Sequence, residues 1–231
     1  MMKINVFLPC RKGSQRILNK NTKPFGKFRN GLLEIKLKHL IQSNLIDKIY
    51  LSTNDDEILA YAKNLNHKKL VLHKRDEKLA SNTASADDLI NHAYELIQDG
   101  EILWTHVTSP FFTDQDYNEV IKTYIKVLQD GFDSLVSVTP LKGFFWNKNG
   151  PINYDIKVKN WPPTQETQTI YELNSAVFLA NASIYKNLKN RMGVKPYFYE
   201  TDKIKGFDID WKEDFLMGEA ILKANLVNRE G

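Results

Sequence analysis

The chain of 231 residues is 42% apolar and 26% charged, with a formal net charge of +4. This describes one globular domain around a single core and excludes a disordered chain. No run approaches the ~20 apolar residues of a membrane span, and the stretch ending at Arg11-Lys12 is too short for a signal peptide, so no membrane attachment is expected.

Residues 3–9 read as a first strand ending at Cys10, the only cysteine. A lone cysteine permits no intrachain disulfide and no cysteine-rich metal site. It fits a reducing cytoplasm, and a buried strand-end thiol accounts for it better than a catalytic one. A polar loop runs on to Pro24. From Leu32 to Leu45 the apolar residues (Leu32, Leu33, Ile35, Leu37, Leu40, Ile41) fall at helical spacing. Residues 48–53 form a second strand, and Asn54-Asp55-Asp56-Glu57 supplies the cap and acidic first turn of a helix over 56–65. A third strand spans 69–73, a helix 85–98, a strand 102–107, a helix 113–128 and a strand 133–138. These repeats, joined by right-handed crossovers, predict an α/β three-layer sandwich around a mainly parallel sheet, with ligands at the carboxyl ends of the strands.

Residues 139–172 break the pattern. They are dense in Pro and Gly yet carry Phe144, Phe145, Trp146, Tyr154 and Trp161, too many aromatics for a linker. A segment that covers the site or builds a dimer contact is expected. A strand over 172–180, a helix over 183–190, strands near 197–200 and 206–209, and a helix over 212–224 complete the chain.

Three stretches carry chemistry. After strand one, Arg11-Lys12-Gly13-Ser14-Gln15-Arg16-Ile17-Leu18-Asn19-Lys20-Asn21 places four cations, a glycine and a hydroxyl at a strand's carboxyl end. A triphosphate needs such a setting, although a Walker A spacing is absent; a solvated basic loop is the alternative. In Gly206-Phe207-Asp208-Ile209-Asp210-Trp211, two carboxylates at i and i+2 of a strand share a face and can reach one Mg²⁺. One strand-end acid and one helix cap is the plainer reading. In the segment from Arg75 to Ser85, small residues and hydroxyls let a flat ligand approach the backbone, and the same residues cap the next helix. Lys and Arg are otherwise scattered among acids, which speaks against nucleic-acid binding.

Taken in order, these stretches resemble the acylneuraminate cytidylyltransferases. The likeness rests on Pro9-x-Arg11, Gly13-Ser14-Gln15-Arg16-Ile17, Lys20-Asn21, Ser52-Thr53-Asn54-Asp55 and Leu79-Ala80-Ser81-x-Thr83-Ala84-Ser85. It continues through Thr108-Ser109-Pro110, Glu172-Leu173-Asn174-Ser175-Ala176-Val177-Phe178 and Asp208-Ile209-Asp210. The resemblance implies a single Rossmann-like nucleotidyltransferase domain over 1–231 that transfers CMP from CTP to an acidic sugar. It implies Mg²⁺ on Asp208 and Asp210, and a homodimer in which the protruding segment covers the neighbour's site. Arg11, Gly13, Ser14, Arg16, Lys20 and Asn21 would hold the nucleotide's phosphates and ribose, and Arg75, Thr83, Ala84 and Ser85 would border the cytosine. Arg11 and Lys20 join the two aspartates as catalytic residues.

The acceptor side departs from the family. Pro163-Thr164-Gln165-Glu166 stands where the family has Pro-Arg-x-Gln, so Thr164 replaces the arginine that grips the sugar-acid carboxylate. His106 replaces a glutamine, Phe112 an arginine, and Phe178 a tyrosine. His106, Thr164, Gln165, Asn174 and Phe178 are the acceptor-binding candidates. None of the six arginines lies between 76 and 190, so Lys142 or Lys148 would have to meet a carboxylate as point charges. N-acetylneuraminic acid is accordingly expected to be a poor substrate. Use of UTP or a finished nucleotide-sugar, or a silent nucleotide-binding homologue, are the competing readings.

Overall fold

The computed structural model describes residues 2–81 and 85–228. Strand β1 (Ile4–Pro9) leads through a long loop to α1 (Gly31–Gln42), β2 (Lys48–Thr53), α2 (Asp56–Asn64) and β3 (Leu70–Lys74). A one-turn helix α3 (Glu77–Ala80) precedes α4 (Ala86–Leu96), β4 (Glu101–Trp104), α5 (Asp114–Gln129) and β5 (Ser134–Leu141). Two short strands, β6 (Trp146–Asn147) and β7 (Gly150–Pro151), pair as a hairpin. Then come β8 (Ile170–Asn181), α6 (Ala182–Leu188), β9 (Pro196–Glu200) and α7 (Lys212–Lys223).

The main sheet has seven strands in the order β3-β2-β1-β4-β8-β5-β9. Every pairing is parallel except those of β8, which runs antiparallel to both β4 and β5. The α/β sandwich expected from the sequence is therefore present, with one reversed strand. Strand β1 lies between β2 and β4, so the chain switches direction of travel across the sheet there. That switch opens a crevice at the carboxyl ends of β1 and β4. One core packs Val6, Leu8, Leu33, Leu37 and Leu103 against Tyr117, Val120 and Tyr124 of α5. The other face buries Phe7, Trp104, Val136 and Phe178 beneath Ile90 and Ala93 of α4 and Tyr185 of α6.

Capping matches the chemistry of the caps. Ser85 with Asp88, and Thr113 with Asp116, form reciprocal capping boxes that satisfy orphan amides at the starts of α4 and α5. The segment over 206–209 is not a strand: the Ile209 amide donates to the Thr108 carbonyl at 2.8 Å, but no ladder follows. Residues 201–206 are instead gathered by Asn174. Its amide nitrogen donates to Thr139 Oγ1 and Thr201 Oγ1 at 3.0 and 2.8 Å, and its oxygen accepts from Ser137 Oγ at 2.7 Å. Gly206 crosses this hub so closely that a Cβ would sit 2.4 Å from Thr139 Oγ1 and 2.6 Å from Asn174 Nδ2.

The aromatic excursion spans 142–169, shorter than expected because β5 and β8 run on as a long ladder. Asn153 staples it: Nδ2 donates to the Gly143 and Gln168 carbonyls, and Oδ1 accepts from the Phe145 amide. Phe144 packs edge-on against Tyr154 and Trp161. Ile152, Val158 and Trp161 nevertheless remain 53%, 83% and 68% exposed. Among the described residues no helix is long and apolar enough to cross a membrane.

Candidate active site

A cavity of about 650 Å³ occupies the crevice and is lined by Arg11, Ser14, Arg16, Lys20, Asn21, His106, Thr108, Ser175, Asp208, Asp210 and Trp211, among others. The basic loop and the acid pair singled out in the sequence thus line one cavity. Its route to the acid pair was wrong. Asp208 and Asp210 flank the fully buried Ile209, whose amide is tied to Thr108, and this pinned irregular segment rather than a strand presents both carboxyls.

Lys20 is 8% exposed and donates from Nζ to the Ile209 carbonyl (2.8 Å) and Asp210 Oδ1 (3.0 Å). Arg16 reaches the same Oδ1 at 3.1 Å, with its guanidinium 4.7 Å above the Trp211 ring. Burial pushes the Asp210 carboxyl up, but Lys20 and Arg16 outweigh it and hold the group below its ordinary range. Asp208 goes the other way. Burial raises it against a hydrogen bond from Thr108, and its Oδ1 is buried with no hydrogen-bond partner among the described residues. Two hard carboxylates of opposite tendency, one with an orphaned oxygen, therefore face one cavity. That donor set fits Mg²⁺, which takes one or two carboxylates and completes its shell with phosphate and water. Among the described residues no cluster of three or more His, Cys, Asp or Glu forms an all-protein cage.

Asn21 Nδ2 donates to the Arg11 carbonyl, and its own carbonyl accepts from Leu33 at the start of α1, so the basic loop is tied at both ends. Gly13, at φ +83°, makes the turn that a Cβ would strain. Arg11 Nη1 reaches the Ala80 and Ser81 carbonyls at 3.4 Å. Cys10 lines the cavity, but burial pushes its thiol up to about 12, which removes it as a nucleophile. Arg75 is buried outside the cavity wall and donates to the Ser52 carbonyl at 2.7 Å; its Nε has no partner among the described residues. Thr83 and Ala84 lie outside the described residues, and Ser85 is an exposed helix cap.

On the acceptor side, His106 is two residues beyond β4 rather than at its end, and it does line the cavity. Its Nε2 accepts from Trp104 Nε1 at 2.9 Å, so the proton sits on Nδ1. Burial, with Arg191 and Lys36 nearby, lowers the ring to about 3, and it is neutral at physiological pH. Thr164 and Gln165 occupy an exposed 3₁₀ turn and are not brought to the cavity within this chain. Asn174 is the buried hub described above, with its amide spent on the protein, and it shapes the site rather than lining it. Phe178 is 1% exposed beneath Arg191. Thr108, Ser175 and Trp211 line the cavity without having been assigned a role. Thr108 and Ser175 lay inside quoted motifs, whereas a register shift in β5–β8 and φ +61° at Ser175, both tertiary features, turn that residue to the site.

The structure is similar to that of a CMP:2-keto-3-deoxy-manno-octonic acid synthetase complexed with CTP, at a TM-score of 0.67 and 11% identity over 96% of this chain and 99% of that one. The likeness shows a shared α/β Rossmann-like fold. The Cytidylyltransferase family matches residues 6–226, and the chain belongs to that family. It is 27% identical over 224 residues to an N-acylneuraminate cytidylyltransferase of Escherichia coli O18:K1:H7, covering 92% of this chain and 50% of that protein. It is 25% identical over 235 residues to a pseudaminic acid cytidylyltransferase of Campylobacter jejuni strain 81-176, covering 97% and 98%. The chain thus spans half the length of the first relative and nearly all of the second.

Proposed function

We propose that this chain transfers CMP from CTP to a hydroxyl of an acidic sugar and releases pyrophosphate. The observation that carries the reading is the single cavity in which Arg11, Arg16 and Lys20 face Asp208 and Asp210 at the sheet's switch point. The names of the N-acylneuraminate and pseudaminic acid relatives support the acidic acceptor.

In this reading Arg11, Ser14, Lys20 and Asn21 bind the triphosphate and ribose, and the turn after Arg75 borders the base. Asp208 and Asp210 would hold Mg²⁺, which when bound neutralises phosphate charge and lowers the pKa of the incoming hydroxyl. The acceptor oxygen forms its bond to the α-phosphorus as the α–β bridge breaks, the hydroxyl proton passes to solvent, and pyrophosphate carries off the electron pair. Lys20 fixes the acid segment onto the phosphate loop, so the protein's contribution is alignment and fixed charge. His106, neutral and locked as an Nδ1–H donor, serves to orient rather than to move protons.

Pyrophosphate release with CTP, UTP, ATP and GTP against N-acetylneuraminic, pseudaminic and 3-deoxy-manno-octulosonic acids tests the reading. CTP with at least one of these acids should turn over, and the other nucleotides should be slower by at least about tenfold. Equal rates with UTP would remove the base assignment, and no release with any pair would remove the reaction. The buried free thiol of Cys10 suits a reducing cytoplasm.

We further infer a homodimer through 142–169, because Ile152, Val158 and Trp161 expose apolar area that a second copy would cover. Light scattering at micromolar concentration should give twice the mass of the 26.8 kDa chain. A monomer there refutes the assembly.

A further inference from the structure

The cluster of side chains around Trp104 and His106 has more hydrogen-bond donors than the described residues satisfy. Arg191, in the loop after α6, holds its guanidinium over an aromatic floor, with Cζ 3.8 Å from the Phe178 ring centroid and 5.2 Å from that of Trp104. Phe178 and Trp104 are paired neighbours on β8 and β4, so the floor is rigid sheet. A guanidinium held over aromatic rings by cation–π attraction keeps its N–H donors for another partner. Among the described residues Arg191 makes no hydrogen bond and no ion pair.

A half-buried cation without a counter-charge costs stability, and here burial lowers its affinity for its own proton. Tyr185 repeats the imbalance. Its ring lies nearly parallel to that of Trp104, and its fully buried hydroxyl has no hydrogen-bond partner among the described residues. Only the Trp104 N–H is matched, and its acceptor is His106, a wall of the cavity. Trp104 therefore touches both the Arg191 guanidinium and His106, a wall of the cavity.

The other cations near the cavity have partners of their own, Arg11 on the Ala80 and Ser81 carbonyls. Lys20 and Arg16 are on Asp210. Buried Lys36 donates to the Ser109 carbonyl, to Tyr117 Oη and, at 3.4 Å, to Thr105 Oγ1. Thr164 stands on an exposed turn outside the cavity wall.

We propose that Arg191 binds the carboxylate of the acceptor, on a platform of Phe178 and Trp104 beside His106. The inference rests on the cytidylyl-transfer reading and adds the residue that selects an acidic acceptor. It also explains the apolar Phe178: a flat ring supports a guanidinium without competing for its ligand. Arg191 is a specificity residue, remote from the phosphates.

Steady-state pyrophosphate release separates the two claims. In Arg191→Met, which keeps an apolar cover over both rings, KM for the acid used by the wild type should rise about 30- to 100-fold, the worth of a lost bidentate charge-assisted contact. KM for CTP should stay within about twofold. Arg191→Lys should recover part of the loss, since the charge returns without the fork. With the methyl ester of the same acid, wild type and Arg191→Met should differ by less than about threefold. An unchanged KM for the acid, or equal losses for acid and ester, overturns the role of Arg191 while leaving the transfer reaction intact. So does a parallel rise in KM for CTP. A shift of Arg191→Met to monomer in sedimentation assigns the guanidinium to a subunit contact and overturns the proposal. If the wild type turns over none of the three acids, the cytidylyl-transfer reading fails first; calorimetric titration of the same acids into wild type with CTP then decides whether Arg191 binds them, and no heat overturns it too.

Discussion

Replacing Asp208 by asparagine is expected to lower turnover by about a hundredfold or more and to leave the melting temperature unchanged or higher. The rate loss follows from removing a hard anionic ligand facing the site where phosphate charge develops, a loss typical of fixed electrostatic groups in closed sites. The stability argument has the opposite sign. Burial raises the folded-state pKa of Asp208 above its unfolded value, so the folded protein holds that proton more tightly. Stability from this group is therefore greatest below the unfolded carboxylate range and declines as pH rises through the folded pKa. At neutral pH the charge works against folding, and a neutral isostere relieves it. Asp210→Asn should separate from this pattern. It should also lose turnover, but its removal leaves Lys20 and Arg16 without their common partner, so the melting temperature should fall. Pyrophosphate release at saturating Mg²⁺ and thermal denaturation of both variants provide the readings. Near-normal rates in both would remove the two-carboxylate site, and a large drop in the melting temperature of Asp208→Asn would show that its carboxylate is needed for the fold.

The second large effect is expected at Lys20. Its ammonium is nearly sequestered and joins two parts of the chain 190 residues apart, donating to Ile209 and Asp210. Hydrogen bonds to charged groups contribute about 1.5–3 kcal/mol each, and every 1.36 kcal/mol of lost transition-state stabilisation is a factor of ten in rate. Lys20→Ala should accordingly reduce kcat/KM for CTP by about a hundred- to a thousandfold, with a lower melting temperature because the acid segment loses its tether. Lys20→Arg should recover little: a planar fork does not fit a site built around a point donor. A loss confined to the acceptor's KM would contradict a role at the nucleotide phosphates, and a variant within tenfold of wild type would show that the tether is dispensable.

These expectations rest on features of different legibility. Periodicity and caps were readable from local sequence. Ser85 caps the helix its segment was expected to cap, and β2 has the bounds its residues suggest, because side-chain alternation and capping chemistry act within a few positions. The basic loop was legible for the same reason: charge, glycine and a strand end fall within eleven consecutive residues. The segment over 206–209 was misread as a strand. An i, i+2 pattern states which residues share a face but not whether a neighbouring strand is present to pair, and none is. The one-turn α3 was missed because four residues carry no period.

The sequence alone therefore determined the sandwich, the family likeness, and the two halves of the site that oppose each other, since each is written in contiguous residues. Tertiary structure alone decided what those residues face. Asn174 read as an acceptor contact and became a buried hub, because its three partners come from β5 and from the segment after β9. Thr164 and Gln165 read as acceptor contacts and stand on an exposed turn. Arg191 drew no attention as the first arginine after a long gap, and only the register of β8 against β4 lays Phe178 beside Trp104 to support it. Contacts between residues distant in sequence depend on sheet order and register, and no local pattern encodes either one.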